Sequence, residues 1–76
     1  MEIKIGQIWR HYKGDDYKII VLAKSEKDGD DLVVYERQTD IFHNGWRIWV
    51  RPQNMFFDIV EWEGKEVPRF TLFSEE

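Results

Sequence analysis

His11 and Lys13 stand two residues apart in Arg10-His11-Tyr12-Lys13-Gly14, and Trp49 and Arg51 repeat that spacing in Trp49-Val50-Arg51-Pro52. In an extended chain, residues two apart point to the same face. His11 with Lys13 would then form a cationic pair beside an aromatic ring, suited to a phosphate or carboxylate. Trp49 with Arg51 would set a guanidinium beside an indole, which stacks on planar groups or grips anions. A third cluster, Trp46 and Arg47 beside His43 and Asn44, offers an indole as a ligand platform or a hydrophobic lid. Each cluster also has a purely structural explanation. Tyr12 would fill the core, Gly14 would serve a turn, and Met55 with Phe56 would plug one end of the fold. Arg51 would form a buried ion pair with Glu36 or Asp58.

Catalytic chemistry finds little material. The hydroxyl nucleophiles are Ser25, Ser74, Thr39 and Thr71, and the imidazole bases are His11 and His43. There is no Gly-x-Ser-x-Gly elbow and no glycine-rich phosphate loop. Two histidines without a paired spacing do not make a zinc site. Glu26-x-Asp28-x-Asp30-Asp31 is too short for a calcium loop and lacks its distal Glu. With no cysteine in the chain, disulfides, thiolate zinc sites and cysteine nucleophiles are excluded. The expectation is a chain with no catalytic residue, no metal and no cofactor. The enzymatic alternative is an acid–base site in which His11 lies in a concave pocket against a carboxylate.

Charge narrows the partner. The net charge of −4 disfavours nucleic-acid binding over the whole surface. It is unevenly placed: residues 1–24 and 41–57 each sum to +2, and residues 25–40 and 58–76 each sum to −4. The cationic segments are also the richest in Trp, Tyr and His.

The elements that must position these residues are short. A chain of 76 residues is read as one domain spanning 1–76. Four Trp, three Tyr and five Phe must carry much of a core this small. No stretch approaches the ~20 apolar residues of a membrane span, and the N-terminus lacks a signal peptide's apolar run. A cytoplasmic location is therefore expected. Runs rich in β-branched and aromatic residues lie at Gln7–Lys13, Tyr17–Lys24, Asp31–Gln38, Arg47–Arg51, Ile59–Trp62 and Arg69–Phe73. Turns are expected at Lys13–Asp16, at Asp28-Gly29 and around Glu63-Gly64, with a longer loop at Asp40–Gly45. The stretch 52–57, opened by Pro52, is expected to make one short helical turn. Leu32 and Val34 share one strand face and Val33 and Tyr35 the other, which predicts a central strand covered on both sides. The resulting fold class is all-β: a small SH3-like barrel of five to six short antiparallel strands, with a twisted open sheet as the alternative.

The residues so assembled resemble a bacterial family, domain of unknown function 1653, from about Gly6 to Phe73. The shared elements are Arg10-His11-Tyr12-Lys13-Gly14 with Tyr17, then Ala23 and Ser25-Glu26, Val33-Val34-Tyr35, Trp49-Val50-Arg51-Pro52 with Met55-Phe56, and Arg69-Phe70. The resemblance implies a small, stand-alone, β-rich domain. This chain departs from the pattern at Trp9, where Tyr is commoner, and at Ala23–Glu26, which is one residue shorter and lacks a His.

The functional expectation is a non-enzymatic binding module whose ligand face is built from His11, Lys13, Trp46, Arg47, Trp49 and Arg51. A protein or peptide partner is favoured over a single-stranded nucleic acid or nucleotide, and no membrane is involved. Self-association through an open strand edge is a further possibility.

Overall fold

The computed structural model describes residues 3–38 and 48–75. The chain forms β1 (Ile8–His11), β2 (Asp16–Lys24), β3 (Asp31–Arg37), β4 (Ile48–Pro52), a one-turn helix α1 (Gln53–Phe56), β5 (Ile59–Trp62), β6 (Lys65–Pro68) and β7 (Phe70–Ser74). Five strands pair in the order β4-β3-β2-β1-β7, all antiparallel, while β5 and β6 form a separate hairpin. No helix among the described residues is long and apolar enough to cross a membrane.

The tight turns follow from local chemistry. The β1–β2 turn needs Gly14, whose φ of +106° lies where an L side chain is strained. A Cβ placed there meets nothing within 4 Å, so Gly14→Ala isolates the backbone term. A loss of about 1–3 kcal/mol is expected in urea unfolding. The β5–β6 hairpin turns through Glu63 (φ +53°) and Gly64 (φ +79°), the pair of left-handed residues that a two-residue hairpin loop demands.

The core collects on one face of the sheet. Trp9, Tyr17, Ile19, Val33, Tyr35, Phe56 and Phe70 are buried there with Ile3. Phe56 sits at its centre: its ring stacks on Phe70 at 4.1 Å and takes edge contacts from Trp9 at 5.3 Å and Tyr35 at 5.5 Å. Gln7 is the buried polar residue. Its Oε1 accepts from the Trp9 indole (3.0 Å) and from the Lys4 backbone N–H (2.8 Å), and its Nε2 donates to Glu75.

Several expectations change. The strands number seven among the described residues rather than five to six, because Lys65–Pro68, charged and ending in proline, is drawn into a strand by its hairpin partner. No ladder joins β4 to β7 among these residues, so hydrogen bonds do not close a barrel. The sheet is nevertheless strongly coiled. β3 and β7 are three strand spacings apart, about 14 Å in a flat sheet, yet the Tyr35 and Phe70 rings meet at 5.6 Å. β3 is interior, but only its Val33–Tyr35 face is fully buried; Leu32 and Val34, on the outer face, are covered in part. Phe56 plugs the fold as expected, whereas Met55, next to it on the helical turn, points outward and is 44% exposed.

Candidate functional site

The coiled sheet brings three of the expected residues into one cleft. His11 ends β1, and Trp49 and Arg51 lie on β4 opposite Tyr35 and Val33, hence on the core face. Together with Tyr17, Tyr35, Arg37 and Phe70 they line a cleft of about 170 Å³. No carboxylate lines it among the described residues.

Two arginine–tyrosine pairs form its rim. Arg51 donates from Nε to the Tyr35 hydroxyl (3.3 Å), and Arg37 donates from Nε and Nη2 to the Tyr17 hydroxyl (3.4 and 3.2 Å). The two phenol rings meet edge to face at 5.2 Å. A phenol that accepts from a guanidinium keeps its own O–H to donate. Arg37 also lies 3.6 Å from Asp15. Arg51 has no carboxylate within salt-bridge distance among the described residues. The structural explanation for it, a pair with Glu36 or Asp58, is not formed: Asp58 faces Arg69 at 3.6 Å instead.

His11 completes the donor set. Its ring is held by Tyr12 (4.4 Å), Phe70 (5.1 Å) and Tyr17 (6.3 Å). The Lys13 backbone N–H donates to Nδ1 at 3.1 Å, so the hydrogen-bond network assigns the proton of the neutral ring to Nε2. No carboxylate is hydrogen-bonded to His11 among the described residues. Burial first, then the positive charge of Arg69, pushes its pKa below the usual imidazole value; Lys13 and Arg51 add to this and Asp15 opposes it. The unfolded chain therefore takes up a proton near pH ~6.5 that the folded chain refuses until lower pH. Stability should be fully present above that value and fall as pH drops towards the folded pKa. His11→Gln should flatten this slope relative to the parent, measured by urea unfolding across pH ~7.5 to ~5.

The remaining expected residues part company. Lys13 does not join His11 on one face, because β1 ends at His11 and the Gly14 turn swings Lys13 outward. There it is exposed, with Nζ 5.8 Å from the Tyr12 ring centre. Tyr12 is half-buried at the same turn, edge-on to Trp62 at 5.3 Å, and does not enter the core. Trp46 and Arg47, with His43 and Asn44, lie outside the described residues. Arg37 escaped the sequence reading, although Val33, Tyr35 and Arg37 alternate onto one strand face and could have revealed it.

A larger concavity of about 440 Å³ lies beside the β5–β6 hairpin, lined by Tyr12, Trp62, Val67, Leu72 and Phe73 among others. It is mostly apolar. Its one permanently charged residue, Arg10, is already engaged by Asp16 at 2.8 Å and lies 4.0 Å over the Phe73 ring. The smaller cleft is the better candidate because one of its two arginines, Arg51, has no counter-charge among the described residues.

A small, mostly β domain with one donor-lined, cationic–aromatic cleft is the class these observations define. Residues 7–72 match the model of a protein family of unknown function, DUF1653, and the chain belongs to that family. The fold is similar to the crystal structure of a DUF1653 protein from Bordetella bronchiseptica, at 27% identity and a TM-score of 0.82 over 99% of this chain and 92% of that one. No curated protein matches the sequence.

Proposed function

We propose that this domain is a non-enzymatic binding module that takes a carboxylate of a protein or peptide partner into the His11–Arg51 cleft. The observation that carries this reading is Arg51: among the described residues its guanidinium is hydrogen-bonded only to a tyrosine hydroxyl, in a cleft whose described polar groups are donors. Burying a cation without a counter-charge is unfavourable, and an incoming anion removes that cost. Arg51, the Tyr17 and Tyr35 hydroxyls and the Nε2–H of His11 can all donate to one carboxylate, and Trp49, 46% exposed beside them, can cover an apolar neighbour. One uncompensated cation suits a single carboxylate better than a run of phosphates, and the net charge of −4 repels a polyanion. The coiled sheet supports reading the scaffold as an SH3-like barrel left open between β4 and β7. A cysteine-free chain suits a reducing compartment, so cytoplasmic partners are the ones to screen.

The test is an NMR titration of the labelled protein with short peptides ending in a free carboxylate, each against its C-terminal amide twin. Shifts of the Trp49 indole and the His11 and Arg51 amides with the acid alone are expected. Equal response to acid and amide overturns the carboxylate reading. A response only to a single-stranded oligonucleotide, reversed by salt, would assign the cleft to nucleic acid instead.

A further inference from the structure

We propose that the edge of β4 left unpaired among the described residues pairs antiparallel with the same edge of a second copy of this chain, in the register centred on Val50. The backbone dictates which groups face outward. At the two ends of the β2–β3 ladder, Ser25 N–H donates to the Asp30 carbonyl (2.8 Å) and Gln38 N–H to the Asp16 carbonyl (2.8 Å). Even-numbered residues of β3 therefore bond to β2, and by alternation Val33 and Tyr35 bond to β4. Their partners there are Arg51 and Trp49. Ile48 and Val50 are left aiming N–H and C=O groups away from the sheet, and Pro52, on the same parity, has no N–H to aim.

Apart from Arg51 and Pro52 at its end, this edge lacks the usual protection. Ile48, Trp49 and Val50 are consecutive and exposed by 60, 46 and 60%. No charged side chain interrupts them, whereas edge strands normally carry one to prevent pairing. The opposite edge, β7, is broken up by Thr71 and Ser74.

A second copy fits because the strand is complementary to itself. With Val50 opposite Val50 of the other copy, the two exchange both hydrogen bonds, and Ile48 N–H donates to the Pro52 carbonyl across the two-fold. Trp49 of each copy then stands opposite Arg51 of the other, in the non-hydrogen-bonded position where side chains approach most closely. That pairing sets a guanidinium against an indole twice. Both residues lie on the cleft face, so each cleft gains a second indole wall. The proposal goes beyond the carboxylate reading and does not depend on it.

A single short ladder makes a small interface, so the dimer is weak. Sedimentation velocity of the full chain from about 20 µM to about 1 mM should show a concentration-dependent monomer–dimer equilibrium. Val50→Lys, which places like charges face to face, should weaken it at least about tenfold. The absence of native cysteines permits a register test. Val50→Cys pairs Cα atoms about 5.5 Å apart, within disulfide range, and should cross-link far faster than Thr71→Cys on β7. A monomer at about 1 mM, or cross-linking through Thr71→Cys at an equal or faster rate, overturns the proposal. If Val50→Lys fails to fold, the cross-linking ratio still decides. Cross-linking with no peptide binding would refute the carboxylate reading and leave this one standing.

Discussion

Phe56→Ala is expected to lower the unfolding free energy by about 3–5 kcal/mol. A chain this size has about 4–11 kcal/mol in all, so the variant should be marginal or unfolded at room temperature. The loss is large because Phe56 is fully buried and is the sole buried residue of α1. Its ring fills the space enclosed by Trp9, Tyr35 and Phe70, and truncation leaves a cavity that strands fixed by their ladders cannot collapse to fill. Met55→Ala, one residue earlier, should cost far less, about 1 kcal/mol or below, because that side chain is nearly half exposed and lies outside the core cluster. Urea unfolding of the two variants side by side checks this. Equal effects would mean that the helical turn, rather than the Phe56 ring, closes the core.

Arg51→Gln is expected to weaken binding of a carboxylate-terminated peptide by about ten- to a hundredfold, the equivalent of losing one charge-assisted hydrogen-bonding group. Stability should hardly change, since among the described residues Arg51 bonds only to the Tyr35 hydroxyl. Arg51→Lys keeps the charge but loses the fork that reaches both Tyr35 and a ligand, and should fall between the two. Lys13→Gln should leave binding unchanged, because Lys13 faces away from the cleft. The measurement is the same NMR titration, with urea unfolding of each variant. Strong destabilisation with unaltered binding would give Arg51 a structural role instead.

Much of the architecture is legible locally. Strand composition and turn residues mark β1 to β5 and β7 to within one or two residues, because alternation and left-handed turn positions depend only on near neighbours. The same alternation places Trp49 and Arg51 on one face, which the register with Tyr35 and Val33 bears out. β6 is not legible, since charge and proline mask a strand that exists because β5 lies beside it. Lys13 was misplaced for a related reason: i, i+2 pairing holds only while the strand continues, and the turn ends it at His11.

Local sequence alone sets every strand but β6, the tight turns, the family, and which side chains share a face while a strand continues. These follow from the period of the extended chain and the φ demands of Gly14, Gly29 and Gly64. Only the tertiary structure decided that His11 on β1 meets Arg51 on β4, that Arg37 and two tyrosines join them, and that no acid reaches Arg51 among the described residues. These residues come from four strands, and in a flat sheet His11 on β1 would not reach Arg51 on β4, three strand spacings away. The coiling of the sheet around Phe56 turns separate faces into one cleft, and that curvature is a property of the whole packed core rather than of any single segment.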